Sequence, residues 1–251
     1  MTGFTKSSAV SPGFYAAEAA GLRWLAAAGG AAVVGVQHVT DDSITLDRLT
    51  PGRPTRKAAE VFGRALAVTH ASGAEDFGIG PDSWTGAGWI GQQPLSLRPQ
   101  HPWGAFYAEQ RLLPYADKAV HRGNLSQAGR DAVDRVCERL LAGEFDDGRP
   151  PSRIHGDLWA GNVMYTDSGV VLIDPAAHGG HALTDLAMLH LFGAPHLETI
   201  TSAYVESAGP GWPSAWRELI GLHQLHPLLV HAVTHGPSYA AQAESVANRY
   251  V

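Results

Sequence analysis

The sequence is poor in cysteine, in lysine and in long apolar runs. Cys137 is the one cysteine in 251 residues, which rules out an internal disulfide and fits a reducing cytoplasm. It sits in Arg130 to Leu141, with Val133, Val136, Leu140 and Leu141 on the same helical face, so it reads as a small buried hydrophobe and not a nucleophile. No apolar run reaches the length of a membrane span, and the start, MTGFTKSSAVSPGF, has no apolar signal core. There is no run of Lys or Arg and the net charge is −6, which argues against nucleic acid and anionic membrane as partners. Repeats and low-complexity tracts are absent. Only Lys6, Lys57 and Lys118 among the 18 basic residues are lysines, so a lysine in a patterned setting merits a role. What remains is 45% hydrophobic and 17% charged, the balance of a globular enzyme large enough for one big domain or two lobes.

The chemistry concentrates in Arg153 to Asp174, RIHGDLWAGNVMYTDSGVVLID. His155-Gly156-Asp157 is a polar turn. Val163 to Thr166 and Val170 to Ile173 are β-prone runs around Asp167-Ser168-Gly169, which suits a three-residue hairpin loop with glycine at the left-handed position. With Thr166 facing Val170, the pairing centres on Ser168 and Asn162 lies opposite Asp174, where the strands open. Asp157 feeds the first strand, so two carboxylates and an amide oxygen converge. A slip of one residue would turn every side chain to the other face and spoil the convergence. Asn162 and Asp174 offer hard oxygen ligands for Mg2+, and Asp157 is free to accept a proton. H-G-D-x-x-x-x-N followed by an aspartate after a hairpin is the spacing of the eukaryotic-like kinase catalytic loop, with Gly156 where protein kinases carry Arg. His155-Gly156-Asp157 alone would be an ordinary turn.

Upstream, Gly3-Phe4-Thr5-Lys6-Ser7 reads as a strand and Phe14 to Ala28 as a helix, with Phe14, Ala17, Leu22, Leu25 and Ala28 on one stripe. That helix carries Glu18. A lysine strand before a glutamate helix is the arrangement in which Lys holds the α- and β-phosphates of ATP and Glu holds the Lys. On their own, Lys6 would be a solvated terminal residue and Glu18 a helix-start charge; the downstream site favours the pair. Ala31 to Val39 and Ser43 to Leu49 read as strands. The second ends at Asp47, Arg48 and Leu49, where a kinase hinge would meet adenine, and Pro51-Gly52-Arg53-Pro54 reads as a lobe boundary between residues 1–52 and 53–251.

Thr55 to Ala71 is a helix with Ala58, Val61, Phe62, Ala65, Leu66 and Thr69 on its stripe, ending in His70, a capping or core histidine. Residues 72–102 read as a long loop; Trp84 and Trp89, with Trp103, either wall a substrate pocket or pack the loop onto the core. Trp103 to His121 is a helix offering Glu109, Gln110 and Arg111 as polar contacts. Ala182 to Phe192 is an apolar helix with one embedded acid, Asp185. An unpaired buried carboxylate is costly, so Asp185 is expected to accept hydrogen bonds from the catalytic-loop backbone and hold Asp157 in place. Further helices lie around 198–207, 213–235 and 239–250. Their histidines, among them His223, His226, His231 and His235, match no zinc spacing and read as core or surface residues.

With these residues in hand, the chain resembles the fructosamine kinase (ketosamine kinase) family, related to the aminoglycoside and choline phosphotransferases. The matching stretches are FYAAEAAGLRWLA (Phe14 to Ala26), GRALAVTH (Gly63 to His70), WIG (Trp89 to Gly91), PWGAFYAEQRLLP (Pro102 to Pro114), IHGDLWAGNVM (Ile154 to Met164), IDPAAHGGH (Ile173 to His181) and DLAMLHLFG (Asp185 to Gly193). The resemblance implies an α+β, protein-kinase-like fold of two lobes, with a truncated N-lobe and a mainly helical C-lobe. It implies ATP- and Mg2+-dependent phosphorylation of a sugar hydroxyl on a small-molecule ketosamine or glycated amine, after which the product decomposes and frees the amine. By position, Asp157 is the catalytic base, Asn162 and Asp174 the metal ligands, Lys6 and Glu18 the phosphate-anchoring pair and Asp47 to Leu49 the hinge. His155 and Asp185 support the loop, while Trp159 and the segment Trp103 to Arg111, with Glu109, lie on the substrate side.

Two departures stand out. The family pattern has two strands and a Gly-rich phosphate loop ahead of the lysine strand, which predicts either an upstream start or poor ATP binding. It also has Arg and Glu where this chain has Ala182 and Leu183, which predicts looser ordering after Asp174. The competing readings are an aminoglycoside- or choline-type phosphotransferase and a pseudokinase without turnover.

Overall fold

The computed structural model describes residues 3–8, 11–82 and 84–251. Strand β1 (Gly3–Ser7), helix α1 (Phe14–Ala26) and strands β2 (Val36–Val39) and β3 (Ser43–Asp47) come first. The strands form an antiparallel sheet in the order β1-β3-β2, with Lys6 opposite Ile44. Ile44 and Leu46 bury one face of it against Tyr15, Ala19 and Leu22 of α1. The buried stripe of α1 is therefore anchored by Tyr15 and the leucines. Ala17 and Ala28, placed on the stripe by periodicity, are only partly covered, since a methyl group adds little to the apolar area that decides which face turns inward. The single strand expected over residues 31–39 is split. Its first part leaves the sheet and bonds the Leu172 backbone, Val34 N–H to Leu172 O at 3.0 Å and Leu172 N–H to Ala32 O at 2.8 Å.

Helix α2 (Arg56–Ala71) starts at Thr55, whose hydroxyl accepts from the Ala58 N–H. It buries Ala59, Phe62, Leu66 and His70, while Val61, expected on the stripe, is 52% exposed. The stretch read as a long loop contains the hairpin β4 (Gly88–Ile90) and β5 (Gln93–Leu95), too short and too rich in Gly and Pro for alternation to be legible.

The helix expected over 103–121 is continuous but not uniform. α3 (Trp103–Phe106) runs into a π-helical turn, Tyr107–Leu112, and then α4 (Leu113–His121). Pro114 has no N–H for the Gln110 carbonyl, and the Arg111 guanidinium donates to that carbonyl instead, at 3.2 Å. In α5 (Gln127–Leu141), Val133, Val136, Cys137 and Leu140 are buried; Leu141, placed with them, is 50% exposed at the helix end.

β6 (Ser152–Ile154) precedes a 3-10 turn, Ala160–Asn162, and the hairpin β7 (Val163–Thr166) and β8 (Gly169–Leu172). β9 (His178–Gly180) then pairs back onto β6. This corrects the expectation of a loose segment after Asp174. Ala182 and Leu183 are buried, and His181 accepts from the Leu183 N–H, so apolar packing and a cap take over from the absent Arg and Glu. The rest is α6 (Ala182–Phe192), α7 (Leu197–Ala208), α8 (Ile220–His235) and α9 (Pro237–Ala247). One core lies among α3, α4, α5, α8 and α9, and a second around α2, the β7–β8 hairpin, α6 and α7. Among the described residues no helix is long and apolar enough to cross a membrane.

Candidate active site

The β7–β8 hairpin differs from expectation by one residue in register. Thr166 pairs with Gly169 and Val163 with Leu172, so the loop is Asp167-Ser168 alone and Gly169, at φ 128°, is already in the strand. Asn162 then lies opposite Ile173, whose N–H it accepts at 3.2 Å, and not opposite Asp174. The convergence survives because neither end residue follows strand geometry. Asn162 closes the 3-10 turn, and Asp174 takes the left-handed conformation (φ 53°). A non-glycine residue rarely adopts that conformation, which reverses the chain locally. The Asn162 Nδ2 thus donates to the Asp157 carbonyl at 2.8 Å, to Asp157 Oδ2 at 3.2 Å and to the Asp174 carbonyl at 3.3 Å.

Asp185 ties the loop to the helices. Its Oδ2 accepts from the His155 N–H at 2.7 Å and its Oδ1 from the Gly156 N–H at 2.9 Å. His70 Nε2 lies 3.0 Å from Oδ2, and His70 Nδ1 lies 2.8 Å from the Tyr204 hydroxyl. Burial pushes the Asp185 carboxyl up, but His70 and the His155 donor outweigh it and hold the group below its ordinary range. His155, kept neutral by burial, bridges the two halves of the site: Nε2 meets the Ile173 carbonyl at 2.9 Å and Nδ1 accepts from the Asp157 N–H at 3.3 Å. Gly156 is at φ 79°, and a Cβ there would lie 2.3 Å from the Ala176 carbonyl oxygen. At Gly161 a Cβ would strike the Trp159 ring at 2.3 Å, so the glycine lets the indole lie flat on the loop. Leu158 is fully buried, while Trp159 stays 43% exposed.

Lys6 closes the site from the sheet side. Its Nζ lies 2.5 Å from Glu18 Oε1 and 2.7 Å from Asp174 Oδ1. Burial alone would lower the lysine pKa, but the two carboxylates outweigh it and raise it. Burial pushes Glu18 up. Burial likewise raises Asp157, to about 6, against the hydrogen bond from Asn162.

Three cavities meet at these residues. A cavity of about 390 Å3 is lined by Lys6, Glu18, Trp84, Trp89, Asp157, Trp159, Asn162 and Asp174. A second, of about 380 Å3, lies between Val34 and Leu46 on one side and Met164 and Ile173 on the other. It is bordered by Asp47, Arg48 and Leu49 and shares Lys6 and Asp174 with the first. A third, of about 780 Å3, shares Asp157 and Trp159 with the first and extends along Phe192, His231, His235 and Tyr239.

Of the residues singled out from sequence, Trp103 and Glu109 are not brought to these cavities. Trp103 is buried and stacks on Tyr107 and His223, in the core between α3 and α8. Glu109 is exposed and bonded to Gln100 at 2.7 Å. His70, Tyr204 and the wall His231, His235 and Tyr239 were not read as site residues. The last three recur every four positions along α8 into α9, which marks one helical face; His70 and Tyr204 have no comparable local signal.

Comparison with known proteins follows the same lines. A family model described as fructosamine kinase matches residues 4–251. A "Probable ketoamine kinase" of Lactiplantibacillus plantarum is 29% identical over 240 residues, covering 94% of this chain and 82% of that protein. A crystal structure provisionally described as a fructosamine-3-kinase from Thermobifida fusca YX-ER1 superposes with a TM-score of 0.91 at 42% identity, over 99% of this chain and 85% of the other. The macrolide 2'-phosphotransferase MphH of Brachybacterium faecium shares the fold alone, at TM-score 0.57 and 18% identity over 97% of this chain and 83% of its own.

Proposed function

The chain belongs to the fructosamine kinase family, and on that premise we propose that it transfers the γ-phosphoryl group of ATP to a sugar hydroxyl of a ketosamine. The coarser statement is that it is a small-molecule kinase, a phosphotransferase with an alcohol as acceptor. The observation that supports phosphoryl transfer from ATP is one junction: Lys6 bonded to both Glu18 and Asp174, with Asp157 and Asn162 beside them where three cavities meet.

In this reading the 380 Å3 cavity takes the adenine between Val34, Leu46, Met164 and Ile173, at the backbone of Asp47 to Leu49. Lys6, held by Glu18, meets the α- and β-phosphates. The donor chemistry suits Mg2+. Asn162 spends its Nδ2 within the loop and keeps Oδ1 as acceptor, and Asp174 engages Lys6 through one oxygen with its side chain 46% exposed. Among the described residues no trio of His, Cys, Asp or Glu forms a ready cage, and Mg2+ is ordinarily held by one or two protein oxygens together with phosphates and water. Bound there, the ion would neutralise charge on the phosphate oxygens. Asp157 orients the acceptor hydroxyl and accepts its proton. The ketosamine assignment draws on the family and on the names of its relatives; release of the amine from the phosphorylated product would make the activity a deglycation.

The test is Mg·ATP consumption with and without a fructosyl or ribulosyl amine. Ketosamine-dependent turnover is expected in the wild type, with a loss of at least about a hundredfold in Asp157→Asn, the scale of a positioned general base. Turnover on aminoglycosides and none on ketosamines would displace the substrate assignment.

A further inference from the structure

The 780 Å3 cavity is larger than a sugar ring requires and falls in the range of sites for whole small ligands. Trp159, beside Asp157, meets Phe192 edge-on at 6.4 Å; Phe192 meets His231 at 4.9 Å; and His231 meets His235 and Tyr239, each at 5.0 Å. These rings, stacked at His231–His235 and tilted at His231–Tyr239, form a continuous wall leading away from Asp157. His231 Nδ1 lies 2.8 Å from the Pro227 carbonyl and so carries the proton, and burial holds the ring in its neutral form. Among the described residues, Asp157 is the only carboxylate lining the cavity. Among the described residues, its only permanent positive charge is Arg122, at the end of α4. Its guanidinium gives one hydrogen bond, to the Val233 carbonyl, and pairs with no carboxylate among the described residues. A guanidinium with no carboxylate partner among the described residues disfavours a polycation and favours an anion, and the aromatic faces offer an apolar stem a surface to lie against.

Resting on the ketosamine reading above, we propose that the acceptor bears a carboxylate beyond its reacting sugar, as a glycated amino acid does. Its stem lies along the Trp159–Phe192–His231 wall and its carboxylate pairs with Arg122.

The test compares N-fructosyl-6-aminohexanoate with its terminal amide, which carry the same apolar stem and differ only in that carboxylate. Turnover and, separately, calorimetric binding without nucleotide are measured for the wild type, Arg122→Gln and Arg122→Lys. The wild type is expected to prefer the acid by roughly tenfold, through KM and not kcat, as for one partly exposed charge-assisted pair. Arg122→Gln should bring the ratio close to one. Arg122→Lys should retain part of it, which a folding defect would not do. Equal affinity for acid and amide in the wild type, a preference that survives in Arg122→Gln, or no binding of either compound would each overturn the proposal. So would tighter binding of a polycationic aminoglycoside. Failure of the kinase reading looks different: no ketosamine is turned over, while calorimetry still reports whether the acid binds through Arg122.

Discussion

At the scale of single residues, the proposed role of Asp157 as proton acceptor predicts the pH behaviour. Burial raises its carboxyl to about 6, and the anion is the form that accepts a proton. The rate under kcat/KM conditions should therefore be level above about pH 7 and fall tenfold per pH unit well below pH 6. An acid limb near pH 4 would show that Asp157 is not the titrating group. The same shift has a stability counterpart with a fixed sign. A carboxyl whose folded pKa lies above its unfolded value favours the fold below the unfolded value, and that advantage is lost as pH rises through about 6. Asp157→Asn should thus be more stable than the wild type at pH 7.5, by on the order of 1–3 kcal/mol, and equal to it near pH 3.5 in urea titrations. Asp185 behaves in the opposite way: more deeply buried, it is held low by His70 and the loop donors, and stays charged while it fixes the backbone beside Asp157.

At the scale of elements, much of this was legible in the sequence, and the misses have causes. Strand β7 lies where its alternation puts it, and helix α6 with Asp185 where an unbroken apolar run ends at Gly193; strand β1 with Lys6 also lies where it was expected, although its residues do not alternate in burial. The hairpin register was read one residue off, since the sequence Asp167-Ser168-Gly169 fits a two-residue or a three-residue loop equally well. That error did not displace Asn162 and Asp174, whose positions depend on a 3-10 turn and a left-handed residue invisible to periodicity. The π-helical turn was missed for a similar reason, and it has a measurable role. It carries Tyr107 into α8, where the hydroxyl donates to the Leu222 carbonyl at 2.9 Å and accepts from the His226 N–H at 3.2 Å, just before Pro227. The tyrosine oxygen stands in for a turn of the helix's own ladder. Tyr107→Phe should destabilise the fold by about 1–3 kcal/mol, read as a lower urea midpoint at unchanged slope. A shift below about 0.3 kcal/mol would mean that α8 closes that bond without help.

At the scale of the whole molecule, the feature with the widest consequence is the sharing of walls between cavities. The hinge-side cavity meets the central one at Lys6 and Asp174, and the aromatic cavity meets it at Asp157 and Trp159. On the proposed reading, nucleotide and acceptor seated in the outer cavities meet at the central one. That arrangement predicts no obligatory order: either partner arrives first, both must be present together, and either product leaves first. Double-reciprocal plots should intersect, and a dead-end analogue of either reactant should compete only with its own counterpart.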